Sequence, residues 1–122
     1  ERNYPRRKYA SDLDVGLPDG TGDADYLGAL DAALAAAFAA CEPEFVLYLA
    51  GADPYAQDRW GRLALTKPGL AARDGRVLEA CRVRDVPVAI AMGGGYAPRL
   101  EDIVDIHYAT LQVAARVARA VA

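Results

Sequence analysis

The sequence predicts an α/β protein built on a parallel sheet, and three observations predict it. Two short apolar runs, FVLYLA at 45–50 and VPVAIAM at 86–92, have the length and the branched or aromatic content of strands buried on both faces. Segments with helical apolar spacing alternate with them. The resulting order of strand, helix, strand, helix, strand, helix is the one that gives parallel strands joined by right-handed crossovers.

Taken along the chain, Leu13, Val15 and Leu17 alternate with Asp12, Asp14 and Gly16, which predicts a first strand near 12–17 with one buried face. PDGTG at 18–22 is turn chemistry, and Asp23 stands where an N-cap is expected. A helix over about 24–41 follows, with Tyr26, Leu30, Leu34 and Phe38 every four residues and Pro43 beyond its end. The loop GADPYAQDRWG at 51–61 separates the second strand from a helix over about 68–84. That helix has a proline near its start and turns Leu70, Val77, Leu78 and Cys81 inward. Gly93, Gly94 and Gly95 stop the third strand abruptly. The last helix, about 100–120, buries Ile103, Ile106, Val113 or Ala114, and Val117, and Thr110 on the same face can bond a carbonyl of the preceding turn.

At 122 residues the chain holds one domain at most, at roughly 100 to 200 residues per domain. It is 53% hydrophobic and 25% charged, the composition of a folded globular protein. Fourteen basic against 17 acidic residues, with no basic stripe, argue against a nucleic-acid groove. Cys41 and Cys81 form no CxxC, and with a single histidine they build neither a disulfide framework nor a zinc knuckle, so reduced thiols and a cytoplasmic location are expected. Both cysteines are expected to pack as small hydrophobes. The alanine-rich run at 27–41 is too short for a bilayer span, so no membrane partner is expected.

Ligands of an open parallel sheet bind beyond the carboxyl ends of its strands. Two loops share that edge. The first carries Asp53, held extended by Pro54, as a candidate metal ligand or turn-former. The second carries Tyr96 after the three glycines, a phenol able to donate a hydrogen bond. No GxGxxG or GK[ST] accompanies the glycines, which argues against a nucleotide site. His107, in the middle of the last helix, reads as a packed or semi-exposed residue rather than a ligand.

ERNYPRRK followed by SDLDVGLPDGTGDADYL, then YLAGADPYAQDRWGRLALTKPGL, then PVAIAMGGGY, resembles the carboxyl-terminal part of a zinc-dependent histone deacetylase. The similarity is to class IV-like bacterial members related to the acetoin-utilisation and acetylpolyamine deacetylases. It implies a three-layer α/β/α fold of the arginase/deacetylase type, with residues 1–122 forming only the carboxyl-terminal portion of the sheet. Asp53 of GAD matches the third zinc ligand, and Tyr96 of GGGY matches the tyrosine that bonds the substrate carbonyl and its oxyanion. Asp58 and Arg59 match the family's D-R pair and are expected to serve the loop. Gln57 stands where members commonly have glycine, which raises the question of a positive φ there, and Trp60 replaces a smaller aliphatic residue. Tyr55 and Trp60 are expected at the substrate rim.

The family's Asp-x-His pair and paired histidines have no counterpart in the chain. The chain begins at Glu1, so an upstream catalytic half is expected to be absent, leaving these residues inactive alone and without tightly bound zinc. The whole protein is expected to deacetylate an acetyl-lysine protein or an acetylated small molecule with zinc. The alternative is a non-catalytic binding module that retains the scaffold. An unpaired strand edge would further favour a homodimer.

Overall fold

The computed structural model describes Arg7 and residues 9–120; the rest of the basic ERNYPRRK opening lies outside the described residues. The described chain runs α1 (Asp23–Ala40), β1 (Val46–Gly51), α2 (Lys67–Arg82), β2 (Val88–Gly93), α3 (Leu100–Arg119). β1 and β2 are parallel and in register from Val46 opposite Val88 to Gly51 opposite Gly93. The α/β class and the parallel sheet hold, with two strands rather than three among the described residues.

The strand expected at 12–17 is absent. Leu13 and Val15 are exposed, and Asp14 bonds the amide and hydroxyl of Ser11 at 3.1 and 2.9 Å, a local turn in place of a ladder. The chain is instead fastened just beyond, where Gly20 donates to the Arg62 carbonyl and Ala64 to that of Thr21. Alternation supplies a buried face only where a partner strand exists to fix the register.

α2 and α3 pack on one face of the sheet. Tyr48 of β1 donates to Asp74 of α2, and Val88 and Ile90 of β2 meet Leu78, Ala114 and Val117 around a cavity of about 310 Å³. The opposite face is open among the described residues. Leu47 is 75% exposed and Leu49 73%, so the runs expected to be buried on both faces are covered on one only. Leu70, Leu78 and Cys81 of α2 and Ile106 and Val113 of α3 are buried as expected. Complete burial of one such aliphatic side chain contributes about 1.5–3 kcal/mol.

α1 leans on α2 with its leucines only half-buried, and Arg76 ties the two by donating to the Leu27 carbonyl at 2.9 Å and to Asp31. The N-cap of α1 is Gly22, not Asp23. Asp23 lies inside the helix, and its carboxylate accepts from the amide and hydroxyl of Thr66 at 2.9 and 2.6 Å. Thr66 in turn caps α2 by accepting from Gly69. The carboxylate therefore joins the starts of two helices instead of capping its own. Cys41, expected to pack, is exposed just past the end of α1. No described helix is long and apolar enough to cross a membrane.

Candidate functional site

Both site loops leave the carboxyl ends of the paired strands. Pairing continues one step past the ladder, with Ala52 donating to the Gly93 carbonyl at 3.1 Å, so the loops begin side by side. The first then turns at Asp53 and Pro54, closed by Tyr55 donating to the Ala52 carbonyl at 3.1 Å. It zips onto its own far end: Ala56 donates to Leu65, and Leu65 to Pro54, at 2.9 and 3.0 Å.

That zipper decides where Tyr55 goes. Tyr55 is 8% exposed and clusters with Ala52, Leu65, Leu70 and Ile106. Tyr55 is therefore a core residue rather than part of the rim, because the turn after Pro54 directs it inward. Trp60 is 74% exposed. Gln57 has no positive φ, since Asp85 alone among described non-glycine residues does, so the expected strain there does not arise.

Two carboxylates tie the loops together. Asp58 accepts from Trp60 and Gly61 within its own loop, at 2.8 and 2.7 Å, and from the Tyr96 amide across the gap at 2.6 Å. Asp53 accepts from the Gly95 amide at 3.2 Å through Oδ1. Its Oδ2 faces Gly94, where an added Cβ would lie only 1.9 Å away. Gly94 and Gly95 have φ of 60° and 98°, while Gly93 still belongs to β2. Tyr96 is 53% exposed, its backbone held and its ring toward solvent. A cavity of about 390 Å³ is lined by Asp53, Gly94, Tyr26, Tyr48 and Arg73.

Beneath the loops lies a polar cluster that the sequence reading missed. Arg73 and Asp74 are buried on α2, with Tyr48 and Thr110 donating to the two oxygens of Asp74 at 2.5 and 2.6 Å. Burial pushes the Tyr48 phenol well above its ordinary range; Arg73 opposes that shift, and the bond to Asp74 reinforces it. The phenol therefore stays a donor. Spacing carries the signal, because positions 73 and 74 fall three and four residues after Leu70 and four residues before Val77 and Leu78 respectively, on the inward face. Thr110 also lies 3.2 Å from the Ile106 carbonyl, the bond anticipated from sequence. Half-buried His107 has a buried Nδ1 with no partner among the described residues.

Residues 3–111 match the histone deacetylase domain, and the chain belongs to that family. It is 43% identical over 107 residues to an uncharacterised protein of Picosynechococcus sp., covering 88% of this chain and 36% of that protein. With histone deacetylase 2 of Arabidopsis thaliana it shares 34% identity over 94 residues, 77% of this chain and 24% of that one. Among solved structures, acetylpolyamine aminohydrolase from Burkholderia pseudomallei superposes with a TM-score of 0.68 at 21% identity, over 86% of this chain and 29% of that one. The HDA15 HD domain superposes at 0.62 with 26% identity, over 80% and 27%. The chain thus spans 24% to 36% of the length of these relatives.

Histone deacetylase family membership implies a bound zinc. Among the described residues no three His, Cys, Asp or Glu side chains gather into a group able to hold a metal ion. A hydrolytic zinc needs three protein ligands and an open position. The described residues do not fit a whole site; Asp53, with Oδ1 engaged and Oδ2 free of described hydrogen-bond donors, fits a single position in one.

Proposed function

We propose that the whole protein is a zinc-dependent amidohydrolase that removes acetyl groups from amines, and that this chain contributes Asp53 as one zinc ligand and Tyr96 as the oxyanion donor. The observation that carries this reading is the joining of the two strand-end loops through Asp53 to Gly95 and Asp58 to Tyr96, within a chain of the histone deacetylase family. In such a reaction water cleaves the amide C–N bond, giving acetate and a free amine. Zinc held by Asp53 together with ligands from outside this chain would supply Lewis-acid polarisation of the acetyl carbonyl and a more acidic water. The part of this chain is positional: Asp58 fixes the Tyr96 backbone, leaving its phenol in solvent where an acyl group can approach. A donor aimed at the oxyanion acts mainly on the transition state. The zinc ligands other than Asp53, and the base, come from residues outside this chain.

The substrate reading keeps two acetylated amines, an acetyl-lysine in a peptide and an acetylated small polyamine, since exposed Trp60 offers apolar surface to either stem. The test is made on the whole protein with both substrates. Tyr96→Phe should keep its zinc and lose about 10²- to 10³-fold in kcat; Asp53→Ala should lose the metal. Near wild-type turnover by either variant removes the assignment. A wild-type protein that binds no zinc and hydrolyses neither substrate is the non-catalytic module.

A further inference from the structure

Two of the most deeply buried charges of the described chain lie not in the site but directly under it. Arg73 is 4% exposed and Asp74 fully buried. Arg73 donates through Nε to Asp74 Oδ1 at 2.9 Å and through Nη1 to the Gly51 carbonyl at 2.6 Å. Its Nη2 also lies 2.8 Å from the same Asp74 oxygen, out of line for a hydrogen bond. Gly51 is the last residue of β1 and stands two before Asp53. Backbone groups alternate direction along a strand. The Ala52 amide points to β2, so the Gly51 carbonyl points to the other edge, where no described strand receives it. Gly51 is half-buried; to the extent that its carbonyl is shielded from water it needs a bonding partner, and the guanidinium supplies that bond.

We propose that Arg73 is a positioning residue for the site, setting where β1 ends and hence where the Asp53 loop begins. Asp74 makes this possible. With Tyr48 of β1 on one of its oxygens and Thr110 of α3 on the other, the carboxylate has no freedom to turn, and it holds the guanidinium fork in one orientation. Three elements therefore converge on one carbonyl. Displacement of Gly51 is passed along the loop to Asp53, and through the Gly95 amide to the glycine loop. A lysine keeps the charge but is a point donor, and it cannot span Asp74 and Gly51 as a planar fork does. The inference rests on the reading of Asp53 and Tyr96 as site residues, and its test is built to fail separately from that reading.

The whole protein is compared as wild type, Arg73→Lys and Val113→Ala, by peptide-level hydrogen exchange and by kcat and KM on an acetyl-lysine peptide. Val113 is buried on α3 and takes part in none of the hydrogen bonds of Asp74 or Gly51, so Val113→Ala reports what loss of core stability does alone. In Arg73→Lys, exchange should rise about tenfold or more at 51–56 and 93–96 while α3 stays protected, the opening governed by one hydrogen bond from a charged group. The kcat should fall about 10²-fold with KM little changed, the size expected for a displacement near 1 Å. Val113→Ala should show neither change at these two segments. Equal behaviour of the two variants, or a rise in exchange spread over the whole domain, overturns the proposal and leaves Arg73 merely structural. If Arg73→Lys does not fold, Asp74→Asn, which releases the guanidinium while preserving shape, should loosen the same two segments; unchanged exchange there overturns the proposal. A wild type without turnover defeats the functional reading alone, because the exchange comparison needs no activity.

Discussion

The two loops at the strand ends are built on opposite principles. The one between β1 and α2 makes itself: its backbone closes a turn at Ala52–Tyr55, zips Ala56 and Leu65 together, and buries Tyr55 and Leu65 in the core. Between β2 and α3 the loop has no such bonds among the described residues. Its Gly95 and Tyr96 amides donate to carboxylates of the first loop, Asp53 and Asp58. One loop is a template and the other is cast on it. Tyr96, to which the proposed function gives the substrate contact, sits on the loop with less structure of its own, and its backbone is held from outside.

Damage to the template should therefore outweigh damage to the cast, and substitutions at each can break or sharpen the contrast. The largest effect is expected at Gly61, where a Cβ would lie 2.0 Å from the Asp53 carbonyl oxygen, a backbone atom that cannot swing aside. Gly61→Ala should destabilise the whole protein by about 3 kcal/mol, read as a lower urea midpoint, and take activity with it. Next comes Asp58→Ala, which strips acceptors from Trp60, Gly61 and Tyr96. A loss of about 2 kcal/mol is expected, together with faster exchange at Tyr96; unchanged exchange there would mean the second loop holds itself.

A smaller thermodynamic effect with a sharper functional one is expected at Gly94. Its φ of 60° disfavours a side chain, and a methyl would lie 1.9 Å from Asp53 Oδ2. Gly94→Ala should cost about 1–2 kcal/mol yet displace the Asp53 carboxylate, so metal content should fall further than thermal stability does. Retained stoichiometric metal would argue against Asp53 as a ligand.

The smallest effect is one of pH. Lys67 opens α2 directly after the template loop and bridges to Asp102 and Asp105 at 2.7 and 2.6 Å, near the start of α3 after the glycine loop. Hydrogen bonds to Asp102 and Asp105 push its ammonium from 10.5 up to about 12. A folded-state pKa above the unfolded one means the clamp's contribution is complete below pH 10.5 and lost as pH rises through about 12. The stability difference between wild type and Lys67→Met should be level from neutral pH to about 10.5 and shrink between there and about 12; a difference that grows with pH would have the wrong sign for this clamp.

How much of this was legible in the sequence follows from what each feature depends on. The helices and both strands of the sheet lie within a few residues of their expected places, because apolar spacing, Pro43, Pro68 and the glycines after β2 are local determinants. Tyr55 was misplaced because its direction follows from a zipper between residues ten apart in sequence, Tyr55 bridging Leu65. Asp23 was read as a cap because an acid before a helix usually is one; its partner, Thr66, lies far along the chain. The Arg73–Asp74 pair lay in plain view at inward spacing, yet nothing local distinguishes a buried ion pair from a solvated one.

By itself the sequence determined the α/β alternation, the helical faces, and the placement of Asp53 and Tyr96 on loops following consecutive strands, since each depends on residues near one another in the chain. Only the tertiary structure decided that 12–17 is no strand, that Leu47 and Leu49 face outward, and that a guanidinium holds the end of β1. Those outcomes turn on which backbone groups and faces find partners from distant segments, and pairing of that kind is settled by packing, not by spacing.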